Sequence, residues 1–202
     1  MRRARPVALT GILLAGGDSS RMGVDKATLA VDGERLAARV ARRLAEVCDE
    51  VLVASGDGDR LGWLGLPQVA DVRPGVGPLG GLIAGLEAAS NDLVAVVAVD
   101  MPFASGRVLK LAAEAVGGHD AAVPVTDGGP EPLHAIYARR AAEPLRRCLA
   151  SGTLAVRPAL GVLSVVYLGR EAWGRIDASG AFAANVNAPE DLSSLRGSAP
   201  AS

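Results

Sequence analysis

Short runs rich in Val, Ile, Leu and Ala alternate along this chain with segments of helical spacing, and that alternation restricts the fold more than any other feature. The runs lie at residues 9–15, 51–54, 93–99, 121–125 and 163–168. Strands covered on both faces, as in a parallel sheet, have this composition. Between the first two, Leu36, Val40, Leu44 and Val47 recur at helical spacing, with Arg39, Arg42, Arg43 and Glu46 on the opposite side. Residues 79–89, 107–116 and 141–150 repeat the pattern. Strand-then-helix alternation predicts an α/β chain with a mostly parallel sheet flanked by helices. At 202 residues, half of them hydrophobic, the chain suits one domain with a substantial core. A loose tail is expected at 196–202.

Charge and composition exclude several functions. Twenty-one basic residues against 22 acidic leave a net charge of -1, which exerts no long-range pull on a polyanion. With two Trp, two Tyr and two Phe, a single-strand stacking platform has little to work with. No nucleic-acid partner is expected. Met1-Arg2-Arg3 before an apolar run imitates a secretion signal, but Thr10 and Gly11 interrupt the run and a glycine loop follows it directly. The longest apolar run, 93–99, is seven residues against the ~20 that cross a bilayer, so no membrane span is expected. Cys48 and Cys148 sit in apolar helical patterns and read as free thiols of a cytoplasmic protein.

In such sheets ligands bind beyond the carboxyl ends of the strands. After the first run comes Leu14-Ala15-Gly16-Gly17, then Ser20-Arg21-Met22-Gly23-Val24-Asp25-Lys26. Glycines let successive N–H groups converge on an anion, while Arg21 supplies a fork for phosphate oxygens and Lys26 a point charge. The loop fits neither the Walker nor the dinucleotide pattern. A glycine turn with a solvated basic face is the plainer explanation. Against it, the chain holds 19 arginines and only two lysines, Lys26 and Lys110, so a lysine in this loop departs from its own habit. A second loop, Asp71-Val72-Arg73-Pro74-Gly75-Val76-Gly77-Pro78-Leu79-Gly80-Gly81, precedes an apolar helix and can present backbone to a flat base, or simply cap that helix. The strongest run ends in Asp100-Met101-Pro102. A carboxylate there is placed to hold Mg²⁺, which takes one or two carboxylates plus substrate phosphates, although an aspartate also commonly opens a turn.

Together these stretches resemble the nucleotidyltransferases that activate sugars and small phosphorylated acceptors, and within them the molybdenum cofactor guanylyltransferases. Cytidylyltransferase relatives usually show Leu-Ala-Ala-Gly at the first turn, where this chain has Leu14-Ala15-Gly16-Gly17. The closing stretch Asn185-Val186-Asn187-Ala188-Pro189-Glu190-Asp191-Leu192 is similar to that family's C-terminal motif, and the resemblance runs over about 8–192. It implies a Rossmann-like domain of the nucleotide-diphospho-sugar transferase type. It also implies transfer of GMP from GTP to the terminal phosphate of the molybdopterin (Mo) cofactor, with release of pyrophosphate.

On this resemblance the catalytic residues are Arg21, Lys26 and Asp100, with Asp100 the Mg²⁺ ligand. Leu14, Ala15, Gly16, Gly17, Asp71, Gly77 and Gly80 bind nucleotide alongside them, and Asn185 or Asn187 reaches the acceptor or phosphate side. Other cofactor-assembly proteins or apo-molybdoenzymes are the implied partners. His134 invites a general-base role, but a lone histidine beside a strand is more often structural. Arg139-Arg140 and Arg146-Arg147 read as the wet face of a helix. Three alternatives stay open: a cytidylyl or sugar-phosphate transferase on the same scaffold, a nucleotide-binding regulator, and a carrier that only delivers the cofactor.

Overall fold

The structure, a computed structural model, describes residues 7–16, 26–73, 75, 77–186 and 191. Its centre is a sheet in which the first apolar run, β1 (Leu9–Leu14), lies between β4 (Glu50–Gly56) and β6 (Leu93–Ala98), parallel to both. β5 (Gln68–Ala70) extends one side in parallel. On the other side β9 (His134–Ala138) runs antiparallel between β6 and β7 (Ala121–Thr126), and β10 (Val165–Leu168) closes the edge parallel to β7. The order across the sheet is therefore β10-β7-β9-β6-β1-β4-β5. Two short additions complete the strands: β2 (Ala30–Val31) pairs with β3 (Glu34–Arg35), and β8 (Gly129–Pro130) folds back on β7. The expected mostly parallel sheet is present. The antiparallel β9 is an addition, and the last strand begins at Val165 because Leu160–Val162 forms a helical turn.

Helices cover both faces. On one face α1 (Leu36–Ala45) buries Leu36, Val40 and Leu44, and α3 (Gly106–Ala115) buries Val108, Leu109 and Ala112. Each such side chain removed from water contributes about 1.5–3 kcal/mol. The polar side of α1 carries Arg42, which pairs with Glu34 and Glu46. The opposite face holds α2 (Pro78–Ala88), α4 (Ala142–Ala150) and the short α5 (Val156–Ala159). In α2, Gly85 lies against β1 so closely that a Cβ there would meet Ile12 Cδ1 at 2.4 Å. The last helix, α6 (Arg170–Trp173), packs Trp173 edge-on against Phe182.

Cys48 and Cys148 are both free and half-buried, and burial pushes the Cys48 thiol up to about 12. Among the described residues no helix is long and apolar enough to cross a membrane. The expected C-terminal tail lies outside the described residues.

Candidate active site

The parallel strands aim their carboxyl ends at one edge of the sheet, and the sequence motifs meet along it. β1 hands over to Ala15 and Gly16, whose N–H groups both donate to the Ala54 carbonyl of β4 at 2.9 and 2.8 Å. This anchors the start of the glycine loop. Gly17 and Arg21 lie outside the described residues; Lys26 opens a helical turn over Lys26–Thr28 on the far side of the loop. Its Nζ donates to Asp100 Oδ2 at 3.3 Å, joining residues 74 positions apart. Both side chains are partly exposed, at 26% and 22%, so the pair faces solvent and a ligand can reach it.

Two further bonds fix Asp100. The Val99 N–H donates to the Leu14 carbonyl at 2.9 Å, tying the end of β6 to the end of β1, and the Val186 N–H donates to the Asp100 carbonyl at 2.7 Å. The second brings exposed Asn185 beside Asp100 in the chain's packing. Asn187 lies outside the described residues.

On the β4–β5 side, Asp71 sits between two glycines. Its Oδ1 would lie 3.2 Å from a Cβ on Gly16 and 3.0 Å from one on Gly81, so the carboxylate occupies space that only hydrogen leaves open. Oδ1 is buried and, among the described residues, accepts no hydrogen bond. An unsatisfied buried acceptor costs about 1–3 kcal/mol, which marks this carboxylate as held in place by the fold around it. Burial, with the Asp57 charge as the lesser cause, raises the Asp71 pKa. Gly77 has φ 72° and ψ -166°, a region that essentially only glycine enters, and it leads Pro78 into the first turn of α2. Gly80 is buried in that turn, its N–H on the Gly77 carbonyl at 3.2 Å.

A feature the sequence reading passed over borders the same loop. Asp57 Oδ1 accepts the N–H groups of Asp59 and Arg60, both at 3.0 Å, which lowers its pKa and turns the chain so that the Arg60 guanidinium donates to the Ala15 carbonyl. The signal was the run Ser55-Gly56-Asp57-Gly58-Asp59, a composition suited to an Asx turn.

His134 is not at this edge as a free base. It is fully buried, its Nε2 accepts the Ser105 N–H at 3.0 Å, and its ring stacks on Phe182 with centroids 4.7 Å apart. Burial depresses its pKa to about 4, so it is a neutral structural group that secures the start of α3. Of the arginine pairs, Arg140 binds Asp120, Arg146 binds Glu87 and Arg147 binds Glu143, all on solvated surface.

The donor set decides which metal this edge suits. Among the described residues no group of three or more His, Cys, Asp or Glu gathers to hold an ion. One carboxylate, Asp100, stands beside a lysine. A lone described carboxylate beside a lysine suits a hard divalent cation brought in with nucleotide phosphates, such as Mg²⁺, which keeps much of its water.

The edge thus gathers a glycine turn, a lysine–aspartate pair and a carboxylate held between glycines, an arrangement suited to a phosphorylated ligand. Comparison with known proteins agrees. The model of the MobA-like NTP transferase domain matches residues 11–162. The "Probable molybdenum cofactor guanylyltransferase" of Chloroflexus aggregans is 38% identical over 192 residues, 91% of each chain. The molybdenum cofactor guanylyltransferase of Desulfosudis oleivorans is 34% identical over 188 residues, covering 92% of this chain and 93% of that one. The crystal structure of molybdopterin-guanine dinucleotide biosynthesis protein A from Archaeoglobus fulgidus superposes with a TM-score of 0.79 at 30% identity, over 92% of this chain and 95% of that one. The chain belongs to the MobA-like NTP transferase family. A cytidylyltransferase from Thermus thermophilus shares the fold, with a TM-score of 0.67 at 21% identity over 92% of this chain and 96% of that one.

Proposed function

We propose that this protein transfers GMP from GTP to the terminal phosphate of the molybdopterin (Mo) cofactor, forming a guanine dinucleotide and releasing pyrophosphate. The observation that carries this reading is the Lys26–Asp100 pair, 3.3 Å apart at the centre of the edge, with the cradled Asp71 carboxylate on one side of it. Relatives at 34–38% identity bear the name molybdenum cofactor guanylyltransferase.

An oxygen of the acceptor phosphate attacks the α-phosphorus of GTP; the bond from that phosphorus to the bridging oxygen of the β-phosphate breaks, and pyrophosphate leaves with the electron pair. The nucleophile is already an anion, so no serine, cysteine or histidine has to be activated, and a neutral, buried His134 is consistent with that. Catalysis is then positioning plus charge stabilisation. Lys26, together with Arg21 and the amide of Gly17, holds the departing pyrophosphate, while Leu14, Ala15 and Gly16 set the turn that the Ala54 carbonyl anchors. Asp100 would hold Mg²⁺, which when bound would supply Lewis-acid polarisation of the phosphate. The Asp71 carboxylate accepts from the N–H donors on the guanine edge, and Gly77, with Gly80 behind it in the first turn of α2, shapes the loop beneath the flat base. Asn185 approaches the phosphates from the closing segment, with Asn187 beyond it.

The free thiols of Cys48 and Cys148 suit a reducing, cytoplasmic setting. Cofactor-assembly proteins or apo-molybdoenzymes are the onward partners in this reading. The test is pyrophosphate release that requires GTP and molybdopterin cofactor together. Release with CTP and not with GTP, or release without any acceptor, contradicts it.

A further inference from the structure

Arg60 grips the glycine turn from the β4 side, and no step of the reaction uses it. Ser55 bulges from β4: Ala54 faces Val69 of β5 and Gly56 faces Ala70, so the register shifts across it. A bulge of this kind bends a strand and re-aims the residues beyond it. Gly56 follows with φ 88°, and its backbone packs directly on the start of the glycine loop. A Cβ on Gly16 would lie 3.1 Å from the Gly56 nitrogen and 3.2 Å from its Cα.

The backbone around Arg60 is pinned on both sides. Its own N–H donates to Asp57 Oδ1, and the Gly58 N–H donates to Ser55 Oγ, both at 3.0 Å. The Gln68 side chain spans the residue: Oε1 accepts the Leu61 N–H at 3.0 Å, and Nε2 donates to the Asp59 carbonyl at 3.2 Å. Leu61 itself is buried. From this fixed base the half-buried Arg60 side chain crosses to β1, and its guanidinium donates to the Ala15 carbonyl, 45 positions away. At the other end of the same peptide unit, the Gly16 N–H donates to the Ala54 carbonyl at 2.8 Å. The peptide between Ala15 and Gly16 is therefore held at both ends, and the guanidinium charge strengthens the bond to its carbonyl.

We propose that Arg60 is a positioning residue for the nucleotide, locking the Ala15–Gly16 peptide in the conformation from which the glycine loop receives GTP. The inference deepens the guanylyltransferase reading and rests on GTP being the nucleotide bound. A preorganised loop binds its ligand without first paying to order itself, so the grip on Ala15 is expressed in affinity. Arg60 acts through the loop and not on the reacting phosphorus. Its removal therefore weakens GTP binding and spares turnover at saturation, whereas loss of Lys26 lowers turnover itself. One assay separates the two residues.

The test uses the full chain carrying Arg60→Ala, with Arg60→Lys alongside. GTP binding with Mg²⁺ is measured by titration calorimetry without acceptor, and kcat and KM in the transfer assay. Arg60→Ala is expected to raise Kd and KM for GTP roughly ten- to hundredfold, as for loss of a hydrogen bond from a charged group. The kcat at saturating GTP and KM for molybdopterin stay at wild type. Arg60→Lys, which keeps a charged donor without the fork, recovers part of the affinity. Wild-type GTP affinity in Arg60→Ala overturns the proposal and leaves the guanylyltransferase reading standing. A fall in kcat with KM for GTP unchanged overturns it in favour of a role in the chemical step. Equal loss of affinity in both variants, with a large fall in Tm, makes Arg60 a strut and also overturns it. If the wild-type chain binds no GTP, the functional reading fails and this inference falls with it.

Discussion

Replacing Lys26 by alanine separates a functional lysine from a structural one. The ammonium and Asp100 are 3.3 Å apart with side-chain exposures of 26% and 22%, so solvent screens much of their attraction. Pairs in such settings contribute about 0–1 kcal/mol to stability. For a chain of this size that corresponds to a Tm shift of no more than about 2–4 °C. Catalysis is affected on a different scale. Removing a positioned charge or donor from a developing anion costs about 10²–10³ in turnover, or roughly 2.7–4 kcal/mol. Lys26→Ala is therefore expected to melt within a few degrees of wild type yet release pyrophosphate at least a hundredfold more slowly. Differential scanning calorimetry and initial rates at saturating GTP and acceptor give both numbers from one preparation. A folded variant with wild-type turnover would falsify the catalytic role of Lys26. A Tm lowered by ten degrees or more would instead make the pair a structural strut.

Three further outcomes follow from particular contacts. Gly16→Ala places a Cβ 3.1 Å from the Gly56 nitrogen and 3.2 Å from Asp71 Oδ1. The turn and the carboxylate must shift, so KM for GTP should rise roughly tenfold or more; an unchanged KM shows that the cradle does not shape the base site. Gly85→Ala drives a methyl to 2.4 Å from Ile12 Cδ1. Overpacking of about 1–3 kcal/mol outweighs the ~1 kcal/mol of added helix propensity, and Ile12→Val, which lacks Cδ1, should recover part of the loss in a double-mutant cycle of denaturant melts. If the two changes simply add, α2 does not rest on β1 at that point.

His134 supplies the pH dependence. Its folded pKa, about 4, lies below the ordinary 6.5 because burial disfavours the charged ring. The unfolded chain therefore binds the proton first as pH falls. The stabilisation is complete above pH 6.5 and is lost between there and about pH 4, on the order of 3 kcal/mol. His134→Gln, which retains an acceptor for the Ser105 amide and does not titrate in this range, should flatten that part of the stability curve. A slope identical to wild type would show that the ring is not held neutral.

Much of this architecture was legible because burial on both sheet faces writes itself as uninterrupted apolar runs. β1, β4, β6 and β7 were placed within a few residues, and α1 declared its buried stripe through Leu36, Val40 and Leu44. β9 did not declare itself in the same way. His-Ala-Ile-Tyr-Ala is short and carries two polar-tipped rings, and nothing local announces that it runs antiparallel between β6 and β7. Its buried His134 and Tyr137 find partners far off in the chain or across a turn, in the Ser105 N–H and the Pro132 carbonyl.

The site divides in the same way. Lys26, Asp71 and Asp100 stood out because each follows a strand in an unusual local composition. Arg60 lies in a segment whose composition suits an ordinary turn. Its reach to the Ala15 carbonyl depends on β1 and β4 lying side by side, which period and spacing do not encode. Gly17, Arg21 and Asn187 lie outside the described residues.

The account turns on guanylyl transfer at Asp100, and a mass-spectrometric product assay meets that claim most directly. Purified protein is incubated with Mg²⁺ and molybdopterin cofactor, with GTP or CTP in parallel, and Asp100→Ala is carried alongside. The account predicts a guanine dinucleotide cofactor from GTP that disappears in the variant. A cytosine dinucleotide from CTP alone, or a guanylylated product that persists without Asp100, would contradict it.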